Sequence, residues 1–410
     1  MSKKYLTFLG AGEYINCNYF FGETDHISKN RAYIQVAIAE LFCKNWNEKD
    51  KIVVFTTEKA RNKHFKNLKK NLKSIHGLDV NINNKMIPDG KSEEEIWNIF
   101  EIVSNSVDEG DEIIFDITHA FRFQPLLGYS VLNFLKNVKN IKINKIFYGA
   151  FEVLGNKKEV KNIPLEKRNA PIFDLTLFDR INEWSQATNV FTKLGNPEFL
   201  KMIFEKESKN YFINKKDNKE NFLNMKEVGG KLDKIFNYIT TNRGNKLIQM
   251  KDIDDINENL EQLKNKKLEL KPFKMLITEI KNKINNFKKN NINNLFVAVK
   301  FSINHELYQQ AITLFLEGII TYIADKIGFG FNNKDERNEI KAYLHDKCSN
   351  YNKEISEIEK IKDIKNIFVK LNQLRNDINH AGFRKNCRNY NTIIKNIKNY
   401  YEEFKKLELN

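Results

Sequence analysis

Short apolar runs alternate with helical stretches five times at the start of this chain, and few folds accept that pattern. Tyr5–Leu9 is a buried-type run that ends in Gly10-Ala11-Gly12. A helical stretch from about Arg31 to Cys43 follows, then a second run, Lys51–Phe55, and a lysine-rich helix over Glu58–Lys73. Leu78–Ile87 alternates weakly as a third strand. Ser92 followed by Glu95 has capping-box spacing and starts a helix running to about Val107. Glu112–Ile117 is a fourth strand, Pro125 to Asn137 is helical, and Ile141–Tyr148 is a fifth strand. Such alternation predicts a Rossmann-like, doubly wound parallel sheet with helices on both faces.

Sheets of this kind hold ligands at the carboxyl ends of their strands. Two strand ends here are chemically rich. The first is Gly10-Ala11-Gly12-Glu13-Tyr14-Ile15-Asn16, where glycines open the backbone to a phosphate. It is not the dinucleotide fingerprint, because Ile15 stands at the third glycine position, and this argues against hydride transfer. The second is Asp116-Ile117-Thr118-His119-Ala120-Phe121-Arg122, with Arg122 at a helix start where an anion also feels the helix dipole. Plainer readings are a tight turn for the glycines, a helix cap for Asp116 and a surface position for Arg122.

The rest of the chain reads as helical. Asp174 to about Gly195 carries an apolar stripe of Phe178, Ile181, Trp184 and Phe191. Glu205–Asn221 is polar and reads as an exposed loop, and Phe222 to Asn290 as a charged pair of helices. A helix pair over Phe301–Phe329 is closed by Gly328 and Gly330; helices over Asp335–Lys347, Ile355–His380 and Asn389–Leu407 complete an all-α bundle. Ile364, Ile367, Phe368, Leu371, Leu374 and Ile378 share one face of the Ile355–His380 helix. Beside that face, Arg375 pairs with Asn379, and Asn376 with His380, at four-residue spacing. Gly382 caps the helix and places His380 in its last turn. A fixed guanidinium, a titratable imidazole and two amides suit a phosphodiester. A histidine that merely answers the helix dipole is the plainer alternative.

Composition narrows the class. The formal net charge of the 410 residues is +15, which favours polyanionic partners such as RNA. No apolar run is long enough to span a bilayer, and the start of the chain leads into a strand rather than a signal peptide. Cys17, Cys43, Cys348 and Cys387 stand in no framework spacing, so a reduced, cytoplasmic protein is expected. His345, Cys348, His380 and Cys387 fit no compact zinc template, so no metal is expected.

Phe8-Leu9-Gly10-Ala11-Gly12-Glu13-Tyr14 and Asp116-Ile117-Thr118-His119-Ala120-Phe121-Arg122 together resemble the sensor of CRISPR-associated ribonucleases. Phe147-Tyr148-Gly149-Ala150-Phe151-Glu152 and Ala170-Pro171-Ile172-Phe173-Asp174-Leu175-Thr176 add to the likeness. That sensor is the CARF domain, a CRISPR-associated Rossmann fold. The family's C-terminal HEPN domain carries an Arg, a short spacer and a His, as Arg375 and His380 do. Ala120 departs from the pattern, since many members have glycine there. The resemblance implies a sensor over 1–185, a helical linker or insertion over 186–295 and a HEPN ribonuclease domain over 296–410. It implies a homodimer that binds a cyclic oligoadenylate, cyclic tetra-adenylate first and cyclic hexa-adenylate second, and then cuts single-stranded RNA in type III CRISPR antiviral defence, leaving a 2′,3′-cyclic phosphate. The expected ligand residues are Gly10, Ala11, Gly12, Glu13, Tyr14, Asn16, Asp116, Thr118, His119, Phe121 and Arg122. The expected catalytic residues are Arg375, His380 and Asn376, with no cofactor. Alternatives are a sensor that binds, or slowly cleaves, its ligand above a HEPN-like assembly domain, and a DNA-binding regulator.

Overall fold

The computed structural model of the chain describes residues 2–22, 26–119, 123–214, 219–265, 273–383 and 385–408. These residues form two compact units, 1–180 and 181–410.

The first unit is built on an eight-stranded sheet. Its strands are β1 Lys3–Leu9, β2 Cys17–Phe21, β3 His26–Arg31, β4 Lys51–Thr56, β5 Asn81–Met86, β6 Glu112–Asp116, β7 Lys142–Gly149 and β8 Asn169–Asp174. Their spatial order is β3-β2-β8-β7-β6-β1-β4-β5. The five expected strands form the parallel block β7-β6-β1-β4-β5. The sheet as a whole is mixed rather than parallel, because β8 runs antiparallel to β7 and β3 antiparallel to β2. β2, β3 and β8 escaped the sequence pattern. β3 is largely exposed and polar, and β8 contains Pro171, a residue that cannot complete a ladder.

The central parallel strands β1, β4 and β6 are buried on both faces, as covering helices require, while the edge strand β5 is largely exposed. Tyr5, Leu9, Ile52, Val54 and Ile114 pack into one core with the helix Ile34–Phe42. Leu6, Phe8, Val53, Phe55, Ile113 and Phe115 pack into the other with the helices Glu93–Ser104 and Phe123–Val138. The Ser92 cap is present, but its box is half made. Ser92 Oγ accepts from Glu95 N at 3.2 Å, while the Glu95 carboxylate turns to the backbone N–H groups of Gly90 and Lys91.

The second unit is all helical. The expected loop over Glu205–Asn221 belongs instead to the helices Glu198–Asn214 and Lys219–Thr240, with 215–218 outside the described residues. Lysine is a good helix former, and Leu200, Ile203, Phe204, Val228, Leu232 and Ile235 supply a buried stripe. The expected helix pair from 222 onward is four helices, adding Gly244–Gln249, Ile253–Asn265 and Phe273–Ile284 to the one ending at Thr240. Beyond them run Asn294–Asn304, Tyr308–Lys326, Lys334–Leu344, Asn352–Ser356, Ile361–Asn379 and Tyr390–Glu408. The single helix expected over Ile355–His380 is broken at Lys360, whose backbone is left-handed at φ 58°. No described helix is long and apolar enough to cross a membrane.

Candidate functional sites

Chain connectivity passes from β5 back across the sheet to β6, beside β1, so the strand order switches between β1 and β6. Both chemically rich loops leave the sheet there. Gly10, Gly12, Glu13, Tyr14, Thr118 and His119 line one cavity of about 240 Å³ with Gly149, Phe151, Glu152 and Lys157. Ala11 and Asn16 do not line it. Asn16 is exposed and donates to Asn30 Oδ1 at 2.6 Å. Ala120, Phe121 and Arg122 lie outside the described residues.

Tyr14 organises the first loop. Its hydroxyl accepts from Gly10 N at 2.9 Å and donates to Gly10 O at 3.0 Å. Gly10 therefore does not offer its N–H to a ligand, contrary to the simplest reading of the glycines. Burial pushes the Tyr14 phenol well above the ordinary phenol range, so it stays neutral. Asp116 is wholly buried beneath the second loop rather than in the cavity. Its carboxylate accepts from Thr118 N at 2.9 Å, Thr118 Oγ1 at 2.5 Å and Thr7 Oγ1 at 2.7 Å. Burial raises its pKa against these donors. Thr118 Oγ1 also accepts from Gly149 N at 2.8 Å. Asp116 thus builds the loop, and Thr118 and His119 face the cavity. His119 Nε2 is buried with no hydrogen-bond partner among the described residues. Burial, with the Lys157 charge adding to it, pushes the imidazole down to about 4.

Four basic side chains that the sequence reading missed close around the glycine loop. Lys63 Nζ donates to Ala11 O at 3.2 Å, His64 Nε2 to Gly12 O at 2.7 Å, and Lys157 Nζ to Glu13 O at 2.7 Å. Lys161 pairs with the Glu13 carboxylate at 2.8 Å, which lowers the Glu13 pKa. A carbonyl can only accept, so His64 carries its proton on Nε2 and its Nδ1 accepts from Tyr33 Oη at 3.4 Å. Lys63 and His64 sit in a π-helical turn, Arg61–Phe65. Such turns add a residue and re-aim side chains, often at functional sites. Two signals could have found these groups. β4 is the neighbour of β1, so the chain leaving it belongs to the same sheet edge. Asn156 and Glu159 form a complete capping box that positions Lys157.

The second candidate site ends the helix Ile361–Asn379. His380 is its C-cap, and the left-handed turn begins at Ala381 (φ 52°), one residue before Gly382. Ala381 N donates to Ile378 O at 2.9 Å and Gly382 N to Asp377 O at 3.2 Å, a Schellman closure. Arg375 and Asn376 are half-buried, and Asn379 and His380 exposed. Asp377 is buried, and its Oδ2 accepts from Arg388 N at 2.8 Å, which ties the following loop to the helix. The Arg375 charge reaches His345, whose pKa falls mainly through burial and then through Lys347 and Arg375. Cys348 and Cys387 are free and exposed, and among the described residues no cluster of His, Cys, Asp or Glu is arranged for a metal ion.

Residues 4–152 match the family model described as CRISPR system endoribonuclease Csx1, CARF domain. Over these residues the chain is similar to a CARF domain. Apart from Lys157, the residues named above as lining the cavity at the β1/β6 switch point lie within the matched stretch. The chain is also similar to CRISPR-associated protein MJ1674 of Methanocaldococcus jannaschii, with 28% identity over 313 residues. The aligned part is 75% of this chain and 43% of that protein, so the chain spans less than half the length of the curated relative. An alignment of 313 residues is longer than the first unit and carries the likeness beyond the CARF domain into the helical unit.

Proposed function

We propose that this protein is a cyclic-oligoadenylate-activated endoribonuclease of type III CRISPR antiviral defence. The observation that carries the reading is one chain holding a CARF-type cavity, lined by Lys157 and bounded by a glycine loop that Lys63, His64 and Lys161 also hold, and, in a separate helical unit, the Arg375–Asn376–His380 turn. A cyclic oligoadenylate is a ring of anions with repeating symmetry. A cavity of about 240 Å³ is small even for a drug-sized ligand, so a two-fold dimer supplies the second half of the site. Leu126, on the helix leaving the Asp116 loop, is 68% exposed, and Phe383, three residues past His380, is 93% exposed. Both support a second copy that covers them. Phosphates entering the pocket draw Lys63 and Lys157 from the carbonyls they now hold. The unpartnered His119 Nε2 binds an adenine or ribose edge.

In the helical unit, the 2′-OH of the RNA attacks the adjacent phosphorus and loses its proton. The 5′-oxygen of the next nucleotide leaves with a proton, and a 2′,3′-cyclic phosphate remains. His380 transfers a proton or orients the 2′-OH, Arg375 stabilises the charge that develops on phosphorus, and Asn376 binds the phosphate. These steps use only the substrate's own hydroxyl and side chains, and no metal or cofactor is part of the proposal. His380→Ala should lower the cleavage rate on the order of a hundredfold or more. A loss under about tenfold in single-turnover cleavage contradicts a proton-transfer role for His380.

A further inference from the structure

A second basic cavity, of about 460 Å³, lies in the helical unit. It is framed by the end of the helix Phe273–Ile284, the start of Asn294–Asn304 and the last turns of Tyr390–Glu408. Lys283, Lys288, Lys300 and Lys405 line it, and no carboxylate does. Flanking lysines that face elsewhere are compensated: Lys281 pairs with Glu261, and Lys289 lies 3.9 Å from Asp254. None of the four cavity lysines is ion-paired among the described residues. Lys283 is half-buried, and desolvation lowers its pKa, so an incoming anion restores what its charge has lost.

The floor is built rather than loose. Asn294 is 1% exposed. Its amide donates to Leu247 O at 2.9 Å and Lys288 O at 2.5 Å, and its oxygen accepts from Lys288 N at 2.9 Å. These bonds fix the loop that carries Lys288. The His305 ring lies tilted against that of Phe301 at 4.1 Å, and Nδ1 donates to Phe301 O at 2.6 Å.

We infer that this cavity is a subsite for single-stranded RNA, gripping phosphates with its lysines and offering the amides of Asn282, Asn285 and Asn304 to base edges and 2′-hydroxyls. It is separate from the Arg375–His380 turn. Arg388 contacts Asp377, so the helix Tyr390–Glu408 starts beside that turn, and Lys405 stands fifteen residues along it, about 22 Å away. The inference rests on the ribonuclease reading for the identity of the strand, but strand binding is measured without cleavage.

The test uses full-length protein in the His380→Ala background and a fluorescein-labelled single-stranded RNA, with anisotropy read across a salt series. Lys283→Gln/Lys300→Gln should weaken binding about tenfold at 0.15 M salt and reduce the salt slope by about 1.4, two contacts at about 0.7 each. Lys283→Arg/Lys300→Arg should retain affinity. Lys353→Gln/Lys362→Gln removes the same charge from exposed positions outside the cavity and should lose less than about threefold. Equal losses from the two Gln pairs, or no loss from the cavity pair, overturn the subsite. Cavity-dependent binding by a protein whose wild type never cuts RNA leaves the subsite standing and removes the nuclease.

Discussion

His119 brings into the cavity at the β1/β6 switch point a buried nitrogen that has no hydrogen-bond partner among the described residues. A free imidazole titrates near 6.5 and this one near 4, so between those values the unfolded chain binds more protons than the native one. The stability that His119 contributes is complete above pH 6.5 and is lost as the pH falls toward 4. Unfolding midpoints from pH 7 to 4 should therefore drop more steeply for the wild type than for His119→Gln, and equal slopes contradict the burial argument. At this scale the sequence was informative about side chains and silent about their duties. Thr118 and His119 face the pocket, as the strand-end argument expected. Asp116 does not, because a carboxylate two residues before a threonine closes its own turn. Asp174 repeats that turn: its Oδ1 accepts from Thr176 N at 2.9 Å and Thr176 Oγ1 at 2.5 Å, and its Oδ2 pairs with Lys145. An Asp-x-Thr spacing is thus a turn first, and a ligand loop only where the strand order brings it to the switch point.

Elements were legible where periodicity is strong. Both faces of β1, β4 and β6 are apolar, and all three were readable from the sequence. β2, β3 and β8 were not, since they are edge-side strands that carry polar residues or a proline. The helix ends show the same limit. Gly328 closes its helix as expected: its N–H bonds Asp325 O at 3.2 Å, and Phe329 N bonds Ala324 O at 2.8 Å. At the His380 turn the left-handed position falls on Ala381 instead, because Gly382 occupies the next residue of the same closure. An L side chain there costs about 1 kcal/mol. Ala381→Gly should raise stability by about that amount in denaturant titration. A destabilised Ala381→Gly protein would show that the alanine methyl group contributes packing that outweighs the backbone strain.

Across the whole molecule, a net charge of +15 does not spread evenly over function. The glycine loop beside the β1/β6 cavity draws Lys63, His64, Lys157 and Lys161 from segments far apart in the chain, so their meeting is set by the strand order rather than by one local motif. In the second unit, Lys283, Lys288, Lys300 and Lys405 gather at one cavity. Activation in this account is linkage: the cyclic ligand must bind the cutting-competent dimer more tightly than the silent one. The most direct test is to incubate the purified protein with fluorescent single-stranded RNA and EDTA, alone and with cyclic tri-, tetra- or hexa-adenylate, beside the His380→Ala protein. Cleavage with one ring size, tetra-adenylate first, and none in the mutant is the predicted result. RNA left intact with every ring, or cut equally by the mutant, contradicts it.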